Sequence, residues 1–197
     1  MKGSQLLHTC CFGFSPLKFI MKFSVFAALI GALAISGCAY KSAPYGASAS
    51  NVEKIKTAQI PPLAIGAFSA AQPGQDSITC RAAGPVMVSP NFETYIHNAF
   101  VDELKLAGAY NPNAATSLVG KLDAVDFSSG ITDGNWTFTL TMSNNKNQSF
   151  TTTSKYAFSG SFVADKACQE VAQAFGPAVQ KLIEDVIQNP EFKSVAN

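Results

Sequence analysis

The sequence predicts an α+β domain over residues 60–190: a two-layer sandwich whose antiparallel sheet of about four strands is covered on one face by two helices, in the order β-α-β-β-β-α. Two patterns carry this reading. Phe92, Ile96, Phe100 and Leu104 recur every fourth residue, the spacing of one face of an α-helix. Trp136, Phe138, Leu140 and Met142 alternate with Asn135, Thr137, Thr139 and Thr141, the period of a strand with one greasy and one wet face. A helix stripe and a one-faced sheet can each bury their apolar side against the other.

The remaining elements follow in chain order. Leu63, Ile65 and Ala67 alternate as a first strand, with Pro61-Pro62 before it and Gln72-Pro73-Gly74 after it as breaks. Residues 78–88 have room for a second short strand. Ser89 caps the first helix, with Pro90 at its first position. Tyr95 and Ala99 broaden its stripe, Gly108 ends it, and Glu93, Asp102 and Lys105 fall on its wet side. Leu118, Gly120, Leu122 and Ala124 share one face of the next strand. Asn144-Asn145-Lys146-Asn147 turns the chain after the Trp136 strand. Tyr156, Phe158 and Phe162 then alternate with Lys155, Ala157 and Ser161. The last helix takes Asp165 as N-cap and buries Val171, Phe175, Val179, Leu182 and Val186. Gly176-Pro177 predicts a bend or a split in it, and Asn189-Pro190 ends it, leaving residues 191–197 as a C-terminal tail.

Residues 1–37 read as a signal peptide. Met21-Lys22 supply a start and a positive charge, Phe23 to Ile35 an apolar core, and Ser36-Gly37 small residues at a cleavage site. The core is shorter than the ~20 residues a membrane-spanning helix needs. Residues 1–20 are either a start-site extension or an unusually long charged leader. Ile35-Ser36-Gly37-Cys38 resembles a lipobox, the motif read by bacterial lipoprotein processing. It implies cleavage before Cys38, a diacylglyceryl thioether on its sulfur and an acylated amino terminus. Ala39 stands where an aspartate would signal inner-membrane retention, so the expected place is the outer membrane, lipid-anchored, on the periplasmic face. Residues 38–59 then read as the lipidated cysteine and a flexible tether, rich in Ala, Ser and Lys, spanning ~25 Å on average.

Cys10 and Cys11 fall in the leader and Cys38 takes the lipid, leaving Cys80 and Cys168. An even pair in an exported chain points to a disulfide, the alternative being two separate buried thiols. Of the 14 Lys and Arg, Lys2, Lys18 and Lys22 precede Cys38, whereas all 13 acids follow it. The mature chain thus carries 11 bases against 13 acids, a net −2, which gives no electrostatic footprint for nucleic acid and no basic cluster for an anionic membrane.

Several short motifs point to a group. They are Phe100 with Glu103-Leu104 and Ala107-Gly108, then Gly120-Lys121-Leu122 with Phe127-Ser128-Ser129. Trp136, Tyr156-Ala157-Phe158 and Phe162 come next, followed by Ala167-Cys168, Ala178-Val179-Gln180 and Leu182-Ile183. In this order, behind a lipobox, they resemble a broad group of YajG-type lipoproteins, auxiliary lipoproteins of ABC-type transport systems and the lipopolysaccharide-assembly lipoprotein. The resemblance covers residues 60–190. It implies an accessory subunit of the envelope with no catalytic residue.

The residues themselves offer little chemistry. His97, the one histidine after Cys38, sits beside Ile96 off the main stripe of the first helix. The sequence has no histidine pair for zinc, no Cys-x-x-Cys, no Gly-x-Ser-x-Gly elbow and no phosphate-cradling glycine loop. Cys80 with His97 could imitate a thiol protease only if Cys80 were free. Asp123, Asp126 and Asp133 flank a turn but lack the dense alternation of a calcium loop. Trp136 belongs in the core. The expected function is therefore a non-enzymatic binding or accessory lipoprotein with no cofactor. Its expected partners are the membrane through the anchor, and an envelope protein or lipid in transit. A stand-alone inhibitor module, such as a lysozyme inhibitor, is the alternative, and an envelope hydrolase stands last.

Overall fold

The computed structural model describes residues 39–197; the leader and Cys38 lie outside the described residues. The chain forms β1 (Tyr40–Lys41), α1 (Ala49–Ala58), β2 (Ala64–Ile65), β3 (Ser69–Ala70), β4 (Ser77–Cys80) and β5 (Gly84–Met87). It continues through α2 (Phe92–Ala107), β6 (Ser117–Ser129), β7 (Asp133–Asn144), β8 (Ser149–Ser159), α3 (Ala164–Gln188) and α4 (Phe192–Ala196). The class is α+β, with helices packed on sheets.

The sheet arrangement corrects the expected single antiparallel sheet. β6, β7 and β8 form an antiparallel meander, and β2 and β3 both lie parallel to β6, making five strands. A second sheet has the order β1-β5-β4, with β4 and β5 antiparallel and β1 parallel to β5. The parallel strands are two residues each, too short to show a period of two in the sequence.

β7 follows its alternation closely: Trp136, Phe138, Leu140 and Met142 are all buried. In β6 the phase changes. Leu118 and Leu122 face inward, but the register shifts between Leu122 and Ala124, so Ala124 turns outward and Val125 and Phe127 take the inner positions. One extra residue in a strand moves every later side chain to the other face, which a strict period of two does not anticipate.

The helices close the inner face. Phe175 of α3 meets the rings of Trp136 at 5.0 Å, Phe92 at 5.6 Å and Tyr95 at 4.9 Å. The Trp136 indole also donates to the Val171 carbonyl at 2.9 Å, so its one polar atom is satisfied inside the core. α2 is capped by Asn91, which accepts from the Thr94 amide at 2.8 Å, two residues later than the expected Ser89. Gly108 ends it with φ +74°. α3 runs unbroken through Gly176-Pro177, so it is not split in two there. Pro177 removes one intrahelical donor, and the Gln173 and Pro177 positions both face solvent, where water can take the freed carbonyl. Asp165 is not the cap, which is Val163; it lies in the first turn and accepts from the Tyr40 hydroxyl at 2.7 Å.

Two segments expected outside the domain belong to it. Within the presumed tether 38–59, Tyr40–Lys41 form a strand and Ala49–Ala58 a helix. Ile55 and Asn51 of that helix are buried, and Asn51 donates to the Gln180 carbonyl of α3 at 2.8 Å. The segment is held largely by hydrogen bonds rather than an apolar stripe, so its polar composition resembles that of a tether. The tail 191–197 contains α4, where Phe192, Val195 and Ala196 are buried and Phe192 lies 6.2 Å edge-on to Phe150.

Candidate functional site

The fold leaves one broad polar surface on the side of the meander away from the helices. β7 contributes Asn135, Thr137, Thr139 and Thr141, and β8 places Thr151, Thr153 and Lys155 opposite them. β6 adds Lys121, Ala124, Asp126 and Ser128. Thr141 donates to Asp123 at 2.6 Å and accepts from Thr151 at 2.8 Å, while Lys121 pairs with Asp123 at 2.8 Å. The Lys121 ammonium and then the Thr141 hydroxyl hold the Asp123 carboxyl below its ordinary value. This face is charge-balanced and rich in hydroxyls. Among the described residues β8 ends the sheet order and pairs with β7 on one side only, so its outer edge is open to a further strand.

The inner side of β8 is partly polar. Ser154 donates to Asp185 at 2.6 Å and Asn189 donates to Thr152 at 3.2 Å, both tying α3 to the strand. Lys181 bridges Asp185, and Lys54 of α1 pairs with Glu184.

The residues singled out for chemistry do not converge. His97 lies 5.3 Å edge-on to Phe68, and its Nδ1 meets Asn98 at 3.0 Å. Asp126 accepts from the Phe127 amide and Asp133 from Thr132, each engaged locally and apart from Asp123. Among the described residues no three His, Cys, Asp or Glu gather as a metal site. The sulfurs of Cys80 and Cys168 stand at bonding distance, with Cα atoms 5.9 Å apart, so Cys80 is not placed to serve as a free thiol.

Two buried acids escaped the sequence reading. Glu93, expected on the wet side, is 7 % exposed and accepts from the Gly74 amide at 2.7 Å; its other oxygen has no hydrogen-bond partner among the described residues. It lines a cavity of about 150 Å³ with Ala71, Gln75, Leu122 and Val125. Glu103 is fully buried and gathers Tyr45, Ser48 and Asn51 on one oxygen. Burial and then the Glu103 carboxylate push the Tyr45 phenol well above its ordinary range, and burial lifts that of Tyr95 to about 12. Position on a helix face could not mark either acid, because both point into gaps filled by segments without periodicity.

No protein-family model matches the chain, and no curated protein matches it. Among solved structures the chain is similar to the crystal structure of protein XCC0632 from Xanthomonas campestris, described under the family DUF330. The two share 12 % identity at a TM-score of 0.50, over 76 % of this chain and 95 % of that one. At that identity the likeness shows the fold alone.

Proposed function

We propose that this chain is a non-enzymatic lipoprotein of the bacterial envelope, held to the outer membrane through Cys38 on the periplasmic face and serving as an accessory subunit that binds a protein partner. The observation that carries the reading is the open meander: a hydroxyl-rich face joined to an edge of β8 that no described strand pairs. Such an edge offers main-chain hydrogen bonds to an extended segment of a partner, and alternate side chains such as Thr151, Thr153 and Lys155 offer selectivity. The lipobox-like Ile35-Ser36-Gly37-Cys38 supports the anchor, the pairing of Cys80 with Cys168 suits an oxidising compartment, and the motif order supports the accessory-lipoprotein group.

Photocrosslinking in intact cells tests it. A photoreactive residue at Thr153 is expected to yield a discrete protein adduct, weakened by a neighbouring Thr151→Pro, while the same residue at the exposed Gln173 of α3 yields none. Absence of any adduct along Thr151, Thr153 and Lys155 would falsify the edge as the binding surface. Intact mass of the purified chain separately checks the anchor: the expected mass starts at Cys38 and includes acyl chains.

A further inference from the structure

Three loops meet at one end of the domain. The tip of the β4–β5 hairpin carries Arg81, in the left-handed region at φ +49°. Its guanidinium bonds the carbonyls of Ser129, Gly130 (3.0 Å) and Ser161 (3.2 Å). The β6–β7 turn and the β8–α3 loop are also joined directly, Gly160 N to Thr132 O at 3.0 Å and Ser161 N to Gly130 O at 3.3 Å. The Cys80–Cys168 bond fixes the hairpin to α3 just below. This end is thus cross-braced by polar contacts.

From that frame three large apolar side chains project into solvent: Ile131 at 62 %, Phe162 at 81 % and Val163 at 59 % exposure. The other large exposed apolar residues among those described are Leu106 and Val119. Val119 sits near the opposite end of β6, about 30 Å away along an extended strand. Leu106 closes α2 next to Ala109, whose carbonyl bonds Leu63 at the β2 end of the sheet. Packing gives no reason for a phenylalanine four-fifths exposed on a braced loop; an apolar partner does.

The chain's own course says which partner. β1 is parallel to β5, and β5 starts at Gly84 beside the hairpin tip, so the chain comes into β1 from this same end. Tyr40 bonds Asp165, two residues from Val163. Only Ala39 separates Cys38 from β1, and two peptide units reach about 7 Å at most. With no tether between anchor and fold, acyl chains on Cys38 bring this end, and no other, against the bilayer.

We propose that Ile131, Phe162 and Val163 form a membrane-inserting tip: a second, non-covalent contact with the acyl-chain boundary of the phospholipid bilayer that sets the domain upright on its anchor. The inference rests on the lipoprotein reading for its orientation. Lipidation alone restrains one point, and an apolar wedge beside it removes the freedom to swing. An upright domain presents the β8 edge along its side, away from the lipid surface.

The test uses the full chain purified from membranes, with Phe162→Trp and, separately, Leu106→Trp, in phosphatidylethanolamine/phosphatidylglycerol vesicles whose acyl chains carry bromine. Trp136 is fully buried and supplies the background, read from the unsubstituted chain. Phe162→Trp is expected to blue-shift and lose about twofold in added emission, while Leu106→Trp is unchanged. Intact mass of the same preparation separates the two ideas. An acylated chain with unquenched Trp at 162 overturns the tip and leaves the anchor standing. An unacylated chain defeats the anchor; quenching at 162 there still supports the tip, and its absence overturns it. Equal quenching at both positions means general adsorption and also overturns it.

Discussion

The phenol of Tyr45 donates to the carboxylate of Glu103, a side chain with no exposed surface, and this contact joins residues 58 positions apart. The same oxygen accepts from the Ser48 amide at 3.0 Å and Asn51 Nδ2 at 3.3 Å. Asn51 carries the link on to α3. Glu103 and Asn51 together therefore bind α1 to both long helices. Glu103→Ala is expected to cost ~3 kcal/mol, because it takes the acceptor from the half-buried Tyr45 hydroxyl and from one amide hydrogen of buried Asn51, and empties a buried site. Tyr45→Phe is expected to cost ~1 kcal/mol. Urea unfolding reads the totals, and amide exchange should quicken across residues 45–58 in the first variant.

Joining Cys80 to Cys168 closes a span of 88 residues. On the chain-entropy model its loss costs roughly 4–5 kcal/mol, less any strain it relieves. The double variant Cys80→Ser, Cys168→Ser should unfold at a clearly lower urea midpoint. A midpoint unchanged from the parent would mean that the two sulfurs are not bonded in the folded protein.

Glu184 and Lys181 give the stability a pH signature. Lys54 first, and Lys181 with it, hold the Glu184 carboxyl below its ordinary 4.5. Because the folded value is depressed, this contribution is complete above 4.5 and drains away as the pH falls through the lower folded value. The Asp185 bond raises Lys181 above 10.5, so its share is complete below 10.5 and is lost as the pH climbs through the higher folded value. Lys54→Met should lower stability at neutral pH and converge on the parent in acid. The groups are partly solvent-exposed, so added salt should narrow the gap too.

Gly160 offers a steric test of the braced end. A Cβ there would lie 2.4 Å from the Gly130 carbonyl oxygen and 2.7 Å from the Asp133 nitrogen, backbone atoms that cannot yield without parting the two loops. Gly160→Ala is expected to cost ~2 kcal/mol or more. Trp136, the one tryptophan, reports it: buried emission and weak acrylamide quenching in the parent, with earlier thermal loss in the variant.

The long elements were legible in the sequence where a single periodicity governs them. Phe92 to Leu104 and Trp136 to Met142 keep their spacing because each meets one continuous apolar neighbour. Ala124 was misassigned because the shift after Leu122 resets the phase, and no residue type announces a bulge. Thr152 and Ser154 look like surface residues yet face α3, satisfied by Asn189 and Asp185. The region 39–59 read as a tether since its hold comes from Asn51, Tyr45 and Ser48, polar side chains whose partners lie far along the chain. Phe162 failed in the opposite direction: it extends the alternation of Tyr156 and Phe158, but β8 has ended at Ser159 and the chain has turned outward. The polar sheet face was anticipated; its continuation into an open β8 edge was not, since which strand ends a sheet is a matter of topology.

The order in which the chain is made bears on how it can fold. Tyr40 needs Asp165, Asn51 needs Gln180 and Lys54 needs Glu184, separations of 125, 129 and 130 residues. Tyr40, Asn51 and Lys54 thus wait for nearly the last residues, whereas β6, β7 and β8 can pair as soon as each follows the other. Contacts of such long span form slowly and leave the partners of β1 and α1 uncovered meanwhile. The packing of β1 and α1 is therefore completed only once α3 has been delivered.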